Sequence, residues 1–181
     1  MGKQGDDVDA HPDHPFPTAW RAARRRLCSP LVTAFANAMA AYERGAFVQA
    51  IELFDSAIAA DEQPAQSLCK RGVCRLRLGD RVGAERDFRA ALAADDRCVS
   101  AMVDLGNLAL ESHEFEEAHI YYRRALSIDE TYAFAHYNLG ILHRKLGNVG
   151  ASVAELRLAA KYEAAPTTAR KRLSFWKRRS K

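Results

Sequence analysis

Six histidines and four cysteines are the residues best equipped for chemistry in this 181-residue chain, and their spacing decides what chemistry is open to them. His11 and His14 flank Asp13, which offers three metal ligands, but the surrounding stretch is rich in Asp, Gly and Pro. Too few apolar residues are present there to hold ligands in place. Cys69 and Cys74 lie five residues apart, so on a helix they point to different faces and cannot share a metal. Buried apolar thiols are the reading for both. Cys28 and Cys98 add no paired C-x-x-C spacing, and four irregularly placed cysteines make no disulfide framework. No Ser/His/Asp or Cys/His set stands together as a local motif, and no glycine-rich phosphate loop is present. The sequence therefore gives no catalytic residue, no metal ligand and no cofactor site, and reads as non-enzymatic.

The glycines have another explanation. From Leu31 onward the chain repeats every 34 residues, in units 31–64, 65–98, 99–132 and 133–166. Each unit holds two runs of apolar residues at helical spacing with a break between them. One column of the break contains Gly45, Gly79, His113 and Gly147. In the second run a small residue recurs as Ala50, Ala84, Ala118 and Ser152, followed a turn later by Phe54, Phe88, Tyr122 and Leu156, and then by Ala57, Ala91, Ala125 and Ala159. The first run carries Ala38, Gly72, Gly106 and Gly140 in register. Small residues let paired helices approach, and the bulky residue four positions on fills the space between hairpins. Glycine at the break supplies the positive φ that a helix end often needs. His113 is the exception: it either adopts the left-handed conformation or marks a turn built differently. A single hairpin cannot bury its own apolar face, so the units must stack.

This pattern resembles the tetratricopeptide repeat family over three quarters of the chain. The resemblance rests on Leu105-Gly106, Ala118, Tyr122 and Ala125-Leu126 in the third unit, and on Leu139-Gly140, Gly147 and Ala159 in the fourth. The second unit adds Gly72, Gly79, Ala84, Phe88 and Ala91-Leu92, and the first Gly45, Phe47, Ala50, Phe54 and Ala57-Ile58. The family's early Trp is replaced by Ala34, Leu68, Met102 and His136, and its late Tyr by Ala41, Arg75, Ala109 and His143. His136 and His143 are thereby expected in core or half-buried positions, and His113 and His119 at turns or on the surface. The implied fold is all-α, a right-handed α-solenoid of four helix-turn-helix repeats. Residues 1–17 are expected to be disordered, 18–30 to form a short basic helix or linker, and a helix to start at Ser29-Pro30. Residues 167–181 are expected to give a capping helix over 168–177 and a basic tail.

The resemblance also implies that function lies in a concave groove lined by the first helix of each unit. The matching positions are Val32, Phe35, Ala36 and Met39, then Gln66, Cys69, Lys70 and Val73. Ser100, Val103, Asp104 and Asn107 follow, then Phe134, Tyr137, Asn138 and Ile141, with Arg144 and Lys145 beyond. Members that hold a C-terminal carboxylate use Lys and Asn in the first unit, Asn in the second and Lys or Arg in the third. Phe35, Met39, Lys70, Ser100 and Asp104 stand there instead, so no such clamp is expected. The groove begins apolar and becomes mixed, which suits an apolar or amphipathic segment of another protein. Asp104 and Asn107 place a polar anchor mid-groove, and Trp20 and its neighbours provide an alternative covering for Phe35 and Met39. The expected function is a protein-binding scaffold, adaptor or chaperone-like assembly factor, with no small-molecule substrate.

The net charge of +4 hides an uneven distribution. Residues 31–166 sum to −4, whereas the last fifteen carry seven basic residues and no acidic one. Arg170, Lys171, Arg172, Lys177, Arg178 and Arg179 lead that cluster and give the alternative reading, an anionic-surface binder docking to membrane or nucleic acid through its tail. The four units alternate at −4, +3, −5 and +2. The arginines of the second unit (Arg71, Arg75, Arg77, Arg81, Arg86, Arg89) read as surface ion pairs between repeats, worth about 0–1 kcal/mol each. No run approaches the roughly 18 apolar residues of a membrane span, and no apolar signal core opens the chain, so a cytoplasmic location is expected.

Overall fold

The computed structural model describes residues 33–163. The expected disordered segment 1–17, the basic helix or linker 18–30, the start at Ser29-Pro30, the groove residue Val32, and the cap and basic tail of 167–181 lie outside them. Within them, Thr33 caps the first helix, its hydroxyl accepting from the Ala36 amide at 3.2 Å. The described residues form eight helices and no strand: α1 (Ala34–Glu43), α2 (Phe47–Ala59), α3 (Pro64–Arg77), α4 (Arg81–Ala94), α5 (Val99–Glu111), α6 (Phe115–Ile128), α7 (Ala133–Lys145) and α8 (Val149–Glu163). Each odd helix pairs with the even one after it, and each even helix packs on the next odd one. The four hairpins thus stack as an all-α solenoid.

The second helices start at residues 47, 81, 115 and 149, one repeat apart. Four identical turns set that register. The amides of Ala46, Asp80, Glu114 and Asn148 reach back to the carbonyls of Ala41, Arg75, Ala109 and His143 at 2.8–3.0 Å, closing each first helix. The residue before each amide is left-handed, with φ of 79°, 87°, 64° and 78° at Gly45, Gly79, His113 and Gly147. His113 therefore builds the same turn as the glycines. Its strain is held by the surrounding hydrogen bonds, and its ring meets Phe115 edge-on at 5.7 Å.

The core runs between the hairpins. Phe54, Phe88 and Tyr122 are fully buried. Phe88 lies against Gly72, and Tyr122 against Gly106, so closely that a Cβ would come within 2.7 and 2.6 Å of the rings. Each aromatic therefore presses on the first helix of its own hairpin. Phe88 also shares a cluster with Ala101 and Leu105 of the next hairpin. The expected gap-filling between hairpins is thus only half of its contact.

Charge clamps the first two hairpins. Arg71 of α3 forks onto Asp87 of α4 at 2.9 and 2.6 Å and also reaches Asp55 of α2. Arg75 meets the same Asp87 at 2.9 Å. Asp87 is 2% exposed, so the expectation of surface ion pairs is corrected for Arg71 and Arg75. A buried carboxylate needs paired cations, and two arginines of one helix face supply them. Arg81 does follow the surface reading, bridging to Glu111 at 2.8 Å across hairpins.

Candidate protein-binding face

The sequence-derived groove residues fall on α1, α3, α5 and α7 in columns one repeat apart. Their burial divides them. Phe35, Met39, Val73, Tyr137 and Ile141 are half-buried, Gln66, Arg144 and Lys145 are exposed, and Cys69, Val103, Asn107 and Asn138 are buried. Lys70 and Asp104 are half-buried. Arg144 and Lys145 occupy the last turn of α7, where the helix dipole favours cations.

The polar members of these columns reach sideways to the neighbouring hairpin. The Lys70 ammonium lies over the Tyr42 ring, 5.6 Å from its centre, joining α3 to α1. The Cys69 thiol faces Asp104 Oδ2 at 3.7 Å, joining α3 to α5. Asn107 Oδ1 accepts from Asn138 Nδ2 at 2.8 Å and from the Tyr122 hydroxyl at 2.9 Å, joining α5, α6 and α7. Burial pushes the Tyr122 phenol far above its ordinary value, with Asp104 and Glu111 adding to the effect, so it stays protonated and donates. Asn107, expected with Asp104 as a mid-groove anchor, and Asn138, expected as a groove position, therefore bond within the stack. Their side chains bond across α5 and α7, and each buried amide group needs a partner.

Phe35 is likewise tied inward. Its ring meets Phe54 edge-on at 6.0 Å, and its amide donates to Glu62 at 3.0 Å. At the other end, His136 sits between Glu155 Oε2 at 2.6 Å and the Glu130 carbonyl at 2.8 Å, with its ring tilted on Tyr162. That is the buried position expected of it, and His143 is half-buried. What remains facing outward is a set of half-buried apolar and aromatic side chains rather than a polar site. Among the described residues, no group of three His, Cys, Asp or Glu side chains converges as a metal site.

Sequence reasoning missed the Tyr122–Asn107–Asn138 network, although a signal was present. Tyr122 stands in a column that holds Phe or Leu in the other hairpins, and a hydroxyl in a buried column requires an acceptor. It also missed that Cys98, at the N-cap of α5, packs against the cluster containing Cys69. Cys69 and Cys98 stand 29 residues apart, a spacing that no local motif marks.

A family model for the tetratricopeptide repeat matches residues 35–95, 69–133 and 104–168 in three overlapping copies. No curated protein matches the chain. Among solved structures, the crystal structure of MamA is similar at a TM-score of 0.61 and 18% identity, covering 81% of this chain and 85% of that one. The first TPR of Spaghetti (RPAP3) bound to HSP90 peptide SRMEEVD is similar at a TM-score of 0.58 and 21% identity, covering 64% and 92%. At these identities the likeness is one of fold.

Proposed function

Because this chain belongs to the tetratricopeptide repeat family, we propose that it is a protein-binding scaffold, an adaptor or assembly factor that holds a segment of a partner along the face of α1, α3, α5 and α7. The observation that carries the reading is the incomplete burial of Met39, Val73, Tyr137 and Ile141 on that face. Apolar side chains left half-covered along one line gain by burying a partner's apolar residues, at roughly 25 cal/mol per Å². Exposed Gln66, Arg144 and Lys145 form its polar edge.

The segment is apolar or amphipathic rather than an acidic C-terminal tail. Asp104 stands in the column where a carboxylate clamp needs a cation or an amide, and Asn107 and Asn138 are engaged with each other. SRMEEVD, the peptide of the RPAP3 structure, is accordingly expected to give no binding heat with this chain.

Phe35 and Asn138 are poor probes of the face, since both hold the fold. The test is affinity capture with the intact chain beside Val73→Asp and Tyr137→Ala, each checked for helix content by circular dichroism. A central anchor is worth about 2 kcal/mol, or roughly thirtyfold in affinity. The expected outcome is loss of the same partner by both folded variants. Undiminished capture by both would overturn the reading.

A further inference from the structure

Cys69 and Cys98 meet where the second hairpin hands over to the third. Cys69 lies on α3 and is 2% exposed. Cys98 is the N-cap of α5, half-buried, and packs against the cluster formed by Cys69, Ala101 and Leu105. Both thiols thus belong to one packed cluster at the seam between α3 and the start of α5. Asp104, one turn into α5, brings a carboxylate oxygen to 3.7 Å from the Cys69 sulfur. Cys74, five residues further along α3, belongs to a different cluster that contains no second cysteine.

The environments of the two thiols differ in the direction that divides labour. Cys98 reaches solvent and sits at the positive end of a helix. The Cys69 side chain beside it brings it down to about 7, the Ala101 amide adding to this and burial opposing it. Cys69 is driven well above the usual thiol range by the neighbouring Cys98 side chain, by burial and by the Asp104 charge. Of the two, Cys98 is the readier to ionise and Cys69 the one that keeps its proton.

We propose that Cys98 and Cys69 form a peroxide-responsive dithiol that closes into a reversible disulfide between α3 and the start of α5. The Cys98 thiolate attacks one oxygen of a hydroperoxide. An S–O bond forms, the O–O bond breaks, and the leaving alkoxide or hydroxide takes a proton from water, leaving a sulfenic acid on Cys98. The Cys69 sulfur then attacks the Cys98 sulfur. The S–S bond forms, the S–O bond breaks, and the departing hydroxide leaves as water with the proton that Cys69 gives up. Asp104 is the carboxylate placed to accept that proton in transit. Two thiols lose two electrons, and the peroxide is reduced to water and an alcohol or a second water. A small dithiol reverses the step by exchange. Cys69 and Asp104 both lie in columns of the proposed binding face, so closure alters the middle of that face. This last consequence rests on the binding reading, whereas the disulfide does not.

The test treats the full-length chain with hydrogen peroxide and maps all four cysteines by non-reducing peptide mass spectrometry. A Cys69–Cys98 cross-linked peptide that disappears with dithiothreitol is expected. Iodoacetamide labelling of Cys98 should rise with pH around a midpoint near 7, and Cys69→Ala should move that midpoint up. In Cys69→Ala, dimedone should trap sulfenic acid at Cys98. Cys98→Ser, which places a favoured N-cap residue at the start of α5 and so keeps the fold, should leave Cys69 reduced. Cross-linking of Cys98 to Cys28, to Cys74 or to a second chain would overturn the proposal, as would a Cys98 that stays reduced in the folded wild-type chain. If Cys69→Ala does not fold, the wild-type map and Cys98→Ser decide the matter. Failure of the disulfide with intact partner capture sinks this inference alone.

Discussion

Replacing Asn107 with Leu removes the one acceptor that two buried donors share. Asn107 Oδ1 receives the Tyr122 hydroxyl at 2.9 Å and Asn138 Nδ2 at 2.8 Å. Tyr122 is fully buried, and Asn138 is 5% exposed, so neither donor has ready access to water. Each buried donor left without an acceptor costs about 1–3 kcal/mol. The apolar side chain recovers part of that, which sets the expected loss at about 2–4 kcal/mol. Tyr122→Phe alone is milder: the ring and its packing stay, and Asn107 Oδ1 keeps Asn138. The cost is that of one net hydrogen bond, about 1 kcal/mol. In the Asn107→Leu background the same change deletes a stranded hydroxyl, so it is expected to be neutral or stabilising. The sign of Tyr122→Phe thus reverses between backgrounds, with a coupling of about 2 kcal/mol. Urea unfolding followed by circular dichroism on the four proteins of the cycle measures it. A cost for Tyr122→Phe that is the same in both backgrounds would refute the network, as would an Asn107→Leu loss below about 1 kcal/mol.

Two further outcomes follow from particular contacts. Asp87→Ala removes the buried carboxylate shared by Arg71 and Arg75, leaving Arg71 on Asp55 and Arg75 on the Gly83 carbonyl, and is expected to cost about 2–3 kcal/mol in urea unfolding; Arg71→Lys, which keeps the charge but loses the fork, should cost less, about 1 kcal/mol. His113→Gly relieves a left-handed non-glycine residue at φ 64° and is expected to raise the urea midpoint by the equivalent of about 0.5–1 kcal/mol, reduced by the lost ring contact with Phe115.

The fold was legible because its determinants recur in register. Gly45, Gly79, His113 and Gly147 mark one turn geometry, and the helices after them begin at residues 47, 81, 115 and 149 as the spacing requires. The candidate face was less legible, because the contacts that decide it do not recur at the repeat interval. Asn107 and Asn138 are 31 residues apart, Cys69 and Asp104 are 35, and Cys69 and Cys98 are 29. Each of these pairs steps from one column to a different column of the next hairpin. A reading organised by columns places Cys69, Asp104, Asn107 and Asn138 on one face, leaves Cys98 off it, and cannot say whether a polar side chain looks outward or sideways. Arg71 and Asp87 escaped for the same reason: their 16-residue separation runs across a hairpin, and counting charge per unit treats both as surface.

The sideways contacts have a consequence for binding. Lys70, Cys69, Asp104, Asn107 and Asn138 lie on the face proposed to receive a partner, yet each bonds or stacks onto an adjacent helix. Polar recognition at these positions would have to break contacts that fix the stacking of hairpins, at about 1–3 kcal/mol for each buried group left unpaired. Burial of the partner's apolar side chains against Val73, Tyr137 and Ile141 carries no such penalty. A partner that spans two hairpins also adds contacts between units whose stability depends on their neighbours. It therefore raises the stability of the whole array by mass action, about 2.7 kcal/mol at a hundredfold excess over its dissociation constant. Recognition on this face and stacking beneath it are in that sense one equilibrium, and a change that loosens the Asn107 junction should weaken partner binding without touching an outward-facing residue.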